Sequence, residues 1–317
     1  MLMFCNKSSS QSGSRWILKN FMWLLIGLVS LHSSVQGQPD SLNQKRLALV
    51  GGVTAVAYTG TMITLNQAWY ANYPRSSFHF INDNAEWLQI DKVGHTWTTL
   101  GYTIGGIELM RWTGMPRKKA IWIGGISAMF FQTSLEAFDG FSAEWGASAG
   151  DLLANTLGAA MVMSQEFAWE EQRIQLKMSF HMTGYAPIRP NLLGSSFPSR
   201  MLKDYNGQTY WLSVNPWSFA KQSSWPKWLN VSLGYGGDGL LGGHSNVWTD
   251  KSGRLMDYSD VPRQRQYYLS LDIDLQQLPI KNAFLKRLAR MANIVKVPAP
   301  TLMYQHGGSW KFYPLYF

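Results

Sequence analysis

The sequence predicts an α+β protein, in which an N-terminal bundle of about four apolar helices is followed by a β-rich antiparallel C-terminal half. Two observations predict this fold class. Up to about residue 170 the apolar residues form long runs or recur with the period of a helix, and from residue 171 they alternate with polar residues, as in a strand. With 317 residues, the chain is long enough for a helical domain at 38–170 and a basic β-rich domain at 171–317.

Residues 1–37 have the pattern of a secretory signal peptide. Three basic residues precede the apolar run FMWLLIGLVSLHSSVQG, which ends in small residues. The run is short for a membrane-spanning anchor, and an uncleaved anchor is the alternative. The single cysteine, Cys5, precedes this run, so we expect a mature chain without disulfides, thiolate chemistry or a lipoprotein anchor. A leader of this kind on a cysteine-free chain is typical of a bacterial envelope protein.

Four apolar stretches in the first half are predicted helices. They are rich in Gly, Ala, Ser and Thr, which allow helices to approach closely. Each is marginal in length or polarity for a membrane span, and the mean hydropathy of −0.14 is low for a fully polytopic protein. We therefore expect a compact bundle that is at least partly lipid-associated. The stretches are residues 46–71, 91–112, 118–138 and 150–169.

The second half is predicted to form strands, which are separated by clusters of Gly, Pro, Asn and Asp. Their aromatic ends resemble outer-membrane strands, and a water-soluble sheet packed on the bundle fits nearly as well. Five or six strands are too few to close a membrane barrel of eight, so we expect an open or partial sheet. The predicted strands are at 173–183, 210–217, 228–236, 265–275 and 307–317, with a short basic helix at 280–295.

Charge is unevenly distributed between the two halves. Residues 38–170 hold 8 Lys and Arg against 11 Asp and Glu, whereas residues 171–317 hold 17 against 8. For an exported protein, a basic half favours membrane lipid, lipopolysaccharide phosphate or an envelope protein partner over nucleic acid. An ordinary solvated surface with a basic bias is the alternative.

Three of the predicted helices each place polar side chains on one stripe of an otherwise apolar surface. The stripes consist of Asp91 with His95, Gln132 with Glu136 and Asp139, and Asp151 with Asn155. Ionisable groups in such a setting are costly unless they face one another or water. We therefore expect the three stripes to turn inward and bring these side chains together.

Two kinds of chemistry fit such a cluster. His95 with Glu136, Asp139 or Asp151 could hold a divalent metal through nitrogen and carboxylate oxygen. Alternatively, His95 could act as a general base that one of these carboxylates orients. The spacing matches no standard metal motif such as HExxH, and we expect neither a GxSxG nucleophile elbow nor a GxxxxGK[ST] phosphate loop.

Each polar residue also has a simpler structural explanation. Asp91 fits the N-cap of a helix that begins at Lys92. Ser148 and Asp151 resemble a capping box with Asp in place of Glu. A purely structural cluster would contain Asp91, Lys92, Glu144, Ser148 and Asn155. These explanations account poorly for the shared stripe, and least of all for Glu136, which lies deep in an apolar run.

The segments DKVGHTWTTLGYTIG and SLEAFDGFSAEWGASAGDLLANTLGA resemble the bacterial domain-of-unknown-function family 2279, which includes predicted periplasmic lipoproteins of the YfiM type. They are more distantly similar to VanZ-like membrane proteins. The shared pattern falls on Asp91, Lys92 and His95, then Glu136 and Asp139, then Asp151, Asn155 and Gly158. The resemblance covers about residues 46–170, and it implies an envelope location and a shared helical core without a defined reaction.

The sequence thus predicts an exported protein of the cell envelope, at the outer membrane or the periplasmic face, with the inner membrane as the alternative. We expect a structural or interaction role. The alternative is a membrane-associated enzyme that acts on envelope lipid or glycan. In that enzyme His95, Glu136, Asp139 and Asp151 would be the catalytic residues or the metal ligands.

Overall fold

The computed structural model describes residues 41–66, 74–143, 145–250 and 252–317. The predicted signal peptide and Glu144 lie outside the described residues. The first half contains helices α1 (Gln44–Leu65), α2 (Ile90–Trp112), α3 (Arg117–Gly140) and α4 (Ala149–Ala168), with short strands β1 (Phe80–Ile81) and β2 (Ala147–Ser148) between them. A 3₁₀ turn, Glu86–Gln89, precedes α2.

The second half contains β3 (Ile174–Phe180), α5 (Pro190–Leu193), α6 (Phe197–Lys203), β4 (Gln208–Val214), α7 (Pro216–Phe219), β5 (Leu229–Asp238), β6 (Val247–Thr249), β7 (Leu255–Asp257), β8 (Gln264–Ile273), α8 (Ala283–Ala292), β9 (Ala299–Gln305) and β10 (Ser309–Tyr316). Six of the strands form one antiparallel sheet in the order β10-β9-β8-β5-β4-β3. The α+β class is therefore confirmed. The strand β9 was not singled out in the sequence.

Helices α2, α3 and α4 pack closely because small residues line their contacts. A Cβ atom on Gly124 of α3 would lie 2.7 Å from the backbone nitrogen of Ile107 on α2. A Cβ atom on Gly158 of α4 would lie 2.3 Å from the carbonyl oxygen of Thr96 on α2. Larger side chains at these glycines would push the helix backbones apart.

Helix α1 lies outside this three-helix core. It is attached by a hydrogen bond from Asn43 N to Thr113 O (2.8 Å) and one from Tyr58 OH to Ser134 Oγ (2.9 Å). Among the described residues it is the one helix long and apolar enough to cross a membrane, and only 11% of its apolar window is buried. The predicted four-helix bundle is therefore not confirmed. The physical reason is that Gly51, Gly52 and Gly60 meet no neighbour within 4 Å, so the small residues of α1 do not serve helix packing.

The helices and the sheet share one hydrophobic core. Ile90, Leu100 and Ile107 of α2 pack in one cluster with Leu176 and Met178 of β3. Trp97 of α2 also donates its indole hydrogen to the carbonyl oxygen of Ile294, at 2.9 Å. Residue Ile294 begins a short segment that pairs with the free edge of β3, through Met178 N to Ile294 O (2.9 Å) and Lys296 N to Met178 O (3.0 Å). The polar stripes of α2, α3 and α4 meet at the end of this core where α2 begins.

Candidate functional site

The site is built around the first turn of α2. Three consecutive residues before the helix, Trp87, Leu88 and Gln89, have positive φ angles of 49°, 52° and 65°, so the chain turns sharply and the helix begins at Ile90. Asp91 therefore lies inside the first turn and is not the N-cap, which corrects the sequence prediction. A carboxylate there is favoured by the helix dipole. Its Oδ1 accepts a hydrogen bond of 2.5 Å from the hydroxyl of Tyr205, which lies in the β-rich half.

Lys92 extends its ammonium group among three carboxylates. Its Nζ lies 2.6 Å from Asp83 Oδ2, 2.8 Å from Asp151 Oδ1 and 3.1 Å from Asp91 Oδ2. Burial lowers the pKa of Lys92, but these carboxylates raise it by more, and the net pKa is above its ordinary value. Burial likewise raises the pKa of Asp83, and hydrogen bonds from Lys92 and Ser148 lower it by more. Lys92 is therefore a permanent internal cation of the site.

His95 lies one turn further along α2, with 24% of its side chain exposed. Its Nδ1 lies 3.2 Å from Asn155 Oδ1 and 3.7 Å from Glu136 Oε1. Its Nε2 lies 3.6 Å from Asp151 Oδ1 and 3.9 Å from Asp91 Oδ1. Burial lowers the pKa of His95, but the three surrounding carboxylates raise it by more, so the net shift favours the imidazolium form.

Glu136 reaches from α3 to the start of α4. Its Oε2 accepts a hydrogen bond from the backbone nitrogen of Ser148 (3.2 Å), and Ser148 Oγ accepts one from the backbone nitrogen of Asp151 (3.1 Å). Ser148 is thus the N-cap of α4, as predicted. In the predicted capping box, the Asp151 side chain would accept a hydrogen bond from the backbone nitrogen of Ser148. In the structure, Glu136 is that acceptor instead. The other oxygen of Glu136, Oε1, is buried without a hydrogen-bond partner among the described residues.

Burial has the largest effect on the two carboxyl groups that face His95. It raises the pKa of Glu136 from 4.5 to about 7, with His95 opposing this and Asp151 adding to it. It raises the pKa of Asp151 from 3.8 to about 6, again with His95 opposing. The site therefore contains two carboxyl groups whose pKa values lie close to neutrality.

Asn155 of α4 is a shared hydrogen-bond acceptor within the cluster. Its side chain is fully buried, and its Oδ1 accepts hydrogen bonds from Thr99 Oγ1 (3.0 Å) and Gln132 Nε2 (3.1 Å) in addition to the contact with His95. Its Nδ2 has no hydrogen-bond partner within the described part of the chain. The three polar stripes thus converge, as their spacing predicts.

The group best placed to hold a metal consists of Asp91, His95 and Asp151, whose ligand atoms all lie within 4.8 Å of one another. His95 and Asp151 were predicted as metal ligands, whereas Asp91 was predicted as a structural residue. The remaining two predicted ligands, Glu136 and Asp139, are not in this group; Glu136 faces His95 from α3, and the charge of Asp139 helps to raise the pKa of Glu136. Carboxylate oxygens and an imidazole nitrogen are suitable donors for zinc or another divalent metal.

Two members of the site, Asp83 and Tyr205, were missed in the sequence. Asp83 lies before the 3₁₀ turn and accepts a hydrogen bond of 2.6 Å from Ser148 Oγ. Tyr205 follows α6, in a loop far from the motif. Neither residue belongs to a periodic pattern, so no spacing signal could have singled them out.

The segment Gly146–Gly150 has the letters of a GxSxG nucleophile motif, centred on Ser148 at a strand-to-helix junction. The geometry is that of a helix cap instead. Ser148 has an extended backbone with φ −107° and is 1% exposed, and its hydroxyl donates to Asp83. A nucleophile elbow needs an exposed serine on a strained turn. We therefore assign Ser148 a structural role, in which its hydroxyl positions Asp83 and caps α4.

No curated protein and no solved structure matches this chain. A family model does match, and its description as a periplasmic protein agrees with the export signal predicted from the leader. The protein is accordingly placed in the cell envelope, while the more distant resemblance to VanZ-like proteins is not supported by any match. Residues 79–165, which carry every residue of the site except Tyr205, match the family of predicted periplasmic lipoproteins (DUF2279), and the resemblance seen in the sequence is confirmed for this segment.

Proposed function

We propose that this envelope protein has a structural or interaction role at the outer membrane or its periplasmic face, and that the buried polar cluster holds its helices and loops in one conformation. The observation that carries the proposal is the position of Lys92. Its ammonium group contacts two of the three candidate metal ligands, Asp91 and Asp151, as well as Asp83. The charge that a metal would supply there is already supplied by the chain.

The cluster joins segments that are distant in sequence. Asp83 comes from a loop, Glu136 from α3, Asp151 from α4 and Tyr205 from the β-rich half, and all contact α2 or the cap of α4. A buried polar network is satisfied only when all its members are in place, so it favours one packing of the helices over others. This is the behaviour expected of a rigid platform for a partner or a membrane.

The test of this role is the Glu136→Ala variant. Removing Glu136 leaves the backbone nitrogen of Ser148 without its acceptor and His95 with one carboxylate fewer. We expect the free energy of unfolding to fall by about 2–4 kcal/mol, as measured by urea denaturation. The matched control is Glu170→Ala, because the Glu170 side chain is 71% exposed and its ion pair with Arg117 contributes little. A Glu136→Ala protein as stable as the control would contradict the structural role.

A second candidate function is an envelope enzyme that acts on lipid or glycan, and two observations favour it. Within the described part of the chain, Glu136 Oε1 and Asn155 Nδ2 are buried without hydrogen-bond partners beside the half-buried His95. A buried carboxyl group with one oxygen free of hydrogen bonds and a pKa of about 7 is suited to general acid–base catalysis at neutral pH. A divalent metal held by Asp91, His95 and Asp151 would supply a Lewis acid for a phosphate or carbonyl oxygen.

Metal content separates the two candidates. If the second holds in its metal-dependent form, the purified protein carries close to one equivalent of a divalent metal by mass spectrometry, and His95→Ala loses it. The His244→Ala variant is the control, because His244 is 64% exposed and pairs with Glu86 outside the cluster. A gently purified protein without metal, in which Glu136→Ala is also destabilised, would leave the structural role as the function.

A further inference from the structure

One face of the six-stranded sheet is apolar and exposed over most of its width. Four leucines that are direct neighbours in the strand register cross it from β4 to β9, and Phe312 of β10 continues the row. These residues are 38–65% exposed. The row consists of Leu212, Leu233, Leu269, Leu302 and Phe312. The helical half covers this face at its β3 and β4 end, where Leu176 and Tyr210 join the core, and at Tyr235 of β5, whose hydroxyl donates to the carbonyl oxygen of Leu88.

Aromatic residues form the neighbouring row on the same face. Tyr235, Tyr267, Tyr304 and Trp310 are paired across β5, β8, β9 and β10. On the other side of the leucine row lie Val231 with Leu271, and then Leu229 with Ile273. Each row is two residues from the next, so the apolar band from the aromatic row to Ile273 is roughly 20 Å tall. A band of this height with an aromatic row at one margin is the pattern of a strand surface in a lipid bilayer.

The opposite face of the sheet is buried and mostly polar, apart from one cluster of Trp211, Tyr268, Met303 and Tyr316. Lys177 and Asp272 form an ion pair of 2.6 Å in which neither side chain is exposed. Asn230 donates to Ser213 Oγ at 3.0 Å, and Tyr316 at the end of β10 lies 3.0 Å from Thr209 Oγ1 on β4, so the sheet curls around its polar side chains. A sheet that folds in water has the reverse polarity, with its apolar face buried.

Basic residues lie beyond both ends of the apolar band, with Asp238 beside them at the aromatic end. Arg265 is the next residue beyond Tyr267 on the same face of β8, and it donates hydrogen bonds to Tyr235 Oη and Gln89 Oε1. At the other end, α8 follows β8 and carries Lys286, Arg287 and Arg290 with no acidic residue; Lys286 is exposed, whereas Arg287 and Arg290 pair with Glu108 of α2. This helix is amphipathic, and its Leu285 is 50% exposed. Basic groups at both margins of an apolar band complement the anionic headgroups of a membrane.

We infer that the outer face of β5, β8, β9 and β10 lies against the hydrocarbon of an anionic lipid bilayer, with its aromatic row at one headgroup layer and α8 near the other. The inference rests on the proposed envelope role and names the partner of that role. A second copy of the chain would also cover an apolar face, but it would not supply a headgroup layer for the aromatic row or an anionic partner for the exposed Lys286. The aromatic row and Lys286 therefore favour lipid.

The inference is tested with nitroxide spin labels. Because Cys5 is the single cysteine, single-cysteine variants on a Cys5→Ser chain are labelled at one position. Labels at Leu233→Cys and Leu269→Cys report on the leucine row, and a label at Ser252→Cys, in the exposed turn between β6 and β7, is the control. The full chain is reconstituted in vesicles of phosphatidylcholine and phosphatidylglycerol. Collisions of each label with oxygen, which concentrates in hydrocarbon, and with a water-soluble nickel complex are measured.

At the two sheet labels we expect collisions with oxygen to be more frequent than collisions with the nickel complex. At Ser252→Cys we expect the reverse. Sheet labels as accessible to nickel as the control would overturn the inference. The inference would also be overturned if the sheet labels were shielded from both reagents and their spectra were broadened by a nearby second label. That result would show that another copy of the chain covers the face.

Charge substitution gives an independent measurement. The Leu233→Lys/Leu269→Lys variant should float with these vesicles at least about tenfold less than the unmodified chain. Val247→Lys/Leu255→Lys, on the hairpin outside the sheet, should float as well as the unmodified chain. Equal flotation of both variants would contradict lipid contact. A protein that stays membrane-bound in cells and ignores pure lipid vesicles would overturn this inference and leave the proposed envelope role in place.

Discussion

The ammonium group of Lys92 explains how a set of carboxylates remains buried between apolar helices. Three aspartates contact it, and two of them, Asp91 and Asp151, also face His95. Without this charge the carboxylates would repel one another in a medium that screens poorly. We therefore expect Lys92→Met, which keeps the length of the side chain, to lower the free energy of unfolding by about 3–5 kcal/mol in urea denaturation.

Lys119→Met is the matched control for this change, since Lys119 is exposed on the first turn of α3. Its effect should remain within about 0.5 kcal/mol of zero. Acidification should restore part of the stability lost in Lys92→Met, because protonated aspartates no longer need a counter-charge. A Lys92→Met protein as stable as the control would show that the carboxylates find another cation, and a bound metal would then be the first candidate.

The carboxyl groups beside His95 make stability depend on pH. The pKa values of Glu136 and Asp151 are raised on folding, to about 7 and about 6, so the folded protein binds more protons than the unfolded chain. Their protons stabilise the fold fully below the unfolded pKa values, near pH 4, and this contribution is lost as the pH rises through 6 and 7. The raised pKa of His95 acts in the same direction.

We therefore expect the free energy of unfolding, measured with EDTA present, to fall as the pH rises from about 5 to about 8. Glu136→Gln cannot ionise, so it should remove a share of this decline on the order of 3 kcal/mol. Glu170→Gln, at an exposed position, should leave the pH profile unchanged. An identical slope in Glu136→Gln would show that Glu136 is not the group that titrates.

At the residue scale the sequence predicted which side chains converge but not how they are partnered. The four-residue spacing of His95 and Asp91, and of Asn155 and Asp151, was sufficient to place them on facing stripes. Lys92 was predicted as a member of a structural cluster, but the spacing could not show that its ammonium group contacts three carboxylates. That depends on the positive φ angles of the preceding turn, which set where α2 begins. Tyr205 was beyond prediction because its contact with Asp91 depends on the tertiary fold.

Close contact between α2 and α4 is the feature of the helices on which the site most depends. A Cβ atom on Gly158 would lie 2.3 Å from Thr96 O and 3.1 Å from Leu100 N. These are backbone atoms that cannot rotate away, so α4 would have to move and the contact between His95 and Asn155 would lengthen. We expect Gly158→Ala to lower the free energy of unfolding by about 2–3 kcal/mol in thermal denaturation.

Helix α1 offers the control for this glycine. Gly52 meets nothing within 4 Å, so Gly52→Ala should stabilise the protein by up to about 1 kcal/mol through helix propensity alone. If Gly158→Ala lowers the free energy of unfolding and Gly52→Ala raises it, the packing described for α2 and α4 is supported. Two stabilising substitutions would show that α4 shifts without cost.

At the scale of whole elements, periodicity placed α2, α3 and α4 within about two residues of their observed ends. It could not distinguish α1, which has the same apolar composition, because a run that is apolar on every side does not show which neighbour it packs against. The strand β9 could not be predicted from the sequence, for a different reason. Its alternation is interrupted by prolines at its start, and its partners β8 and β10 become evident only in the sheet.

The two halves of the molecule meet in one core that crosses the predicted boundary near residue 170. Leu176 and Met178 pack with α2, Trp97 bonds to Ile294, and Tyr205 bonds to Asp91. A change of hydrophobic period marks a change of secondary structure, and by itself it does not mark independent folding units. We therefore expect both halves to unfold together in a single transition.

Tyr205→Phe tests this cooperativity. Loss of the hydroxyl leaves Asp91 with one hydrogen bond fewer and should lower the free energy of unfolding by about 1–3 kcal/mol. If the halves are one unit, hydrogen exchange followed by mass spectrometry will show the same loss of protection in peptides from α3 and α4 and from β4 and β5. Tyr58→Phe, which removes the bond between α1 and Ser134 of α3, should leave the peptides from α4, β4 and β5 nearly unchanged. Loss of protection confined to the helices would show instead that the sheet folds by itself, and that the boundary near residue 170 separates two domains.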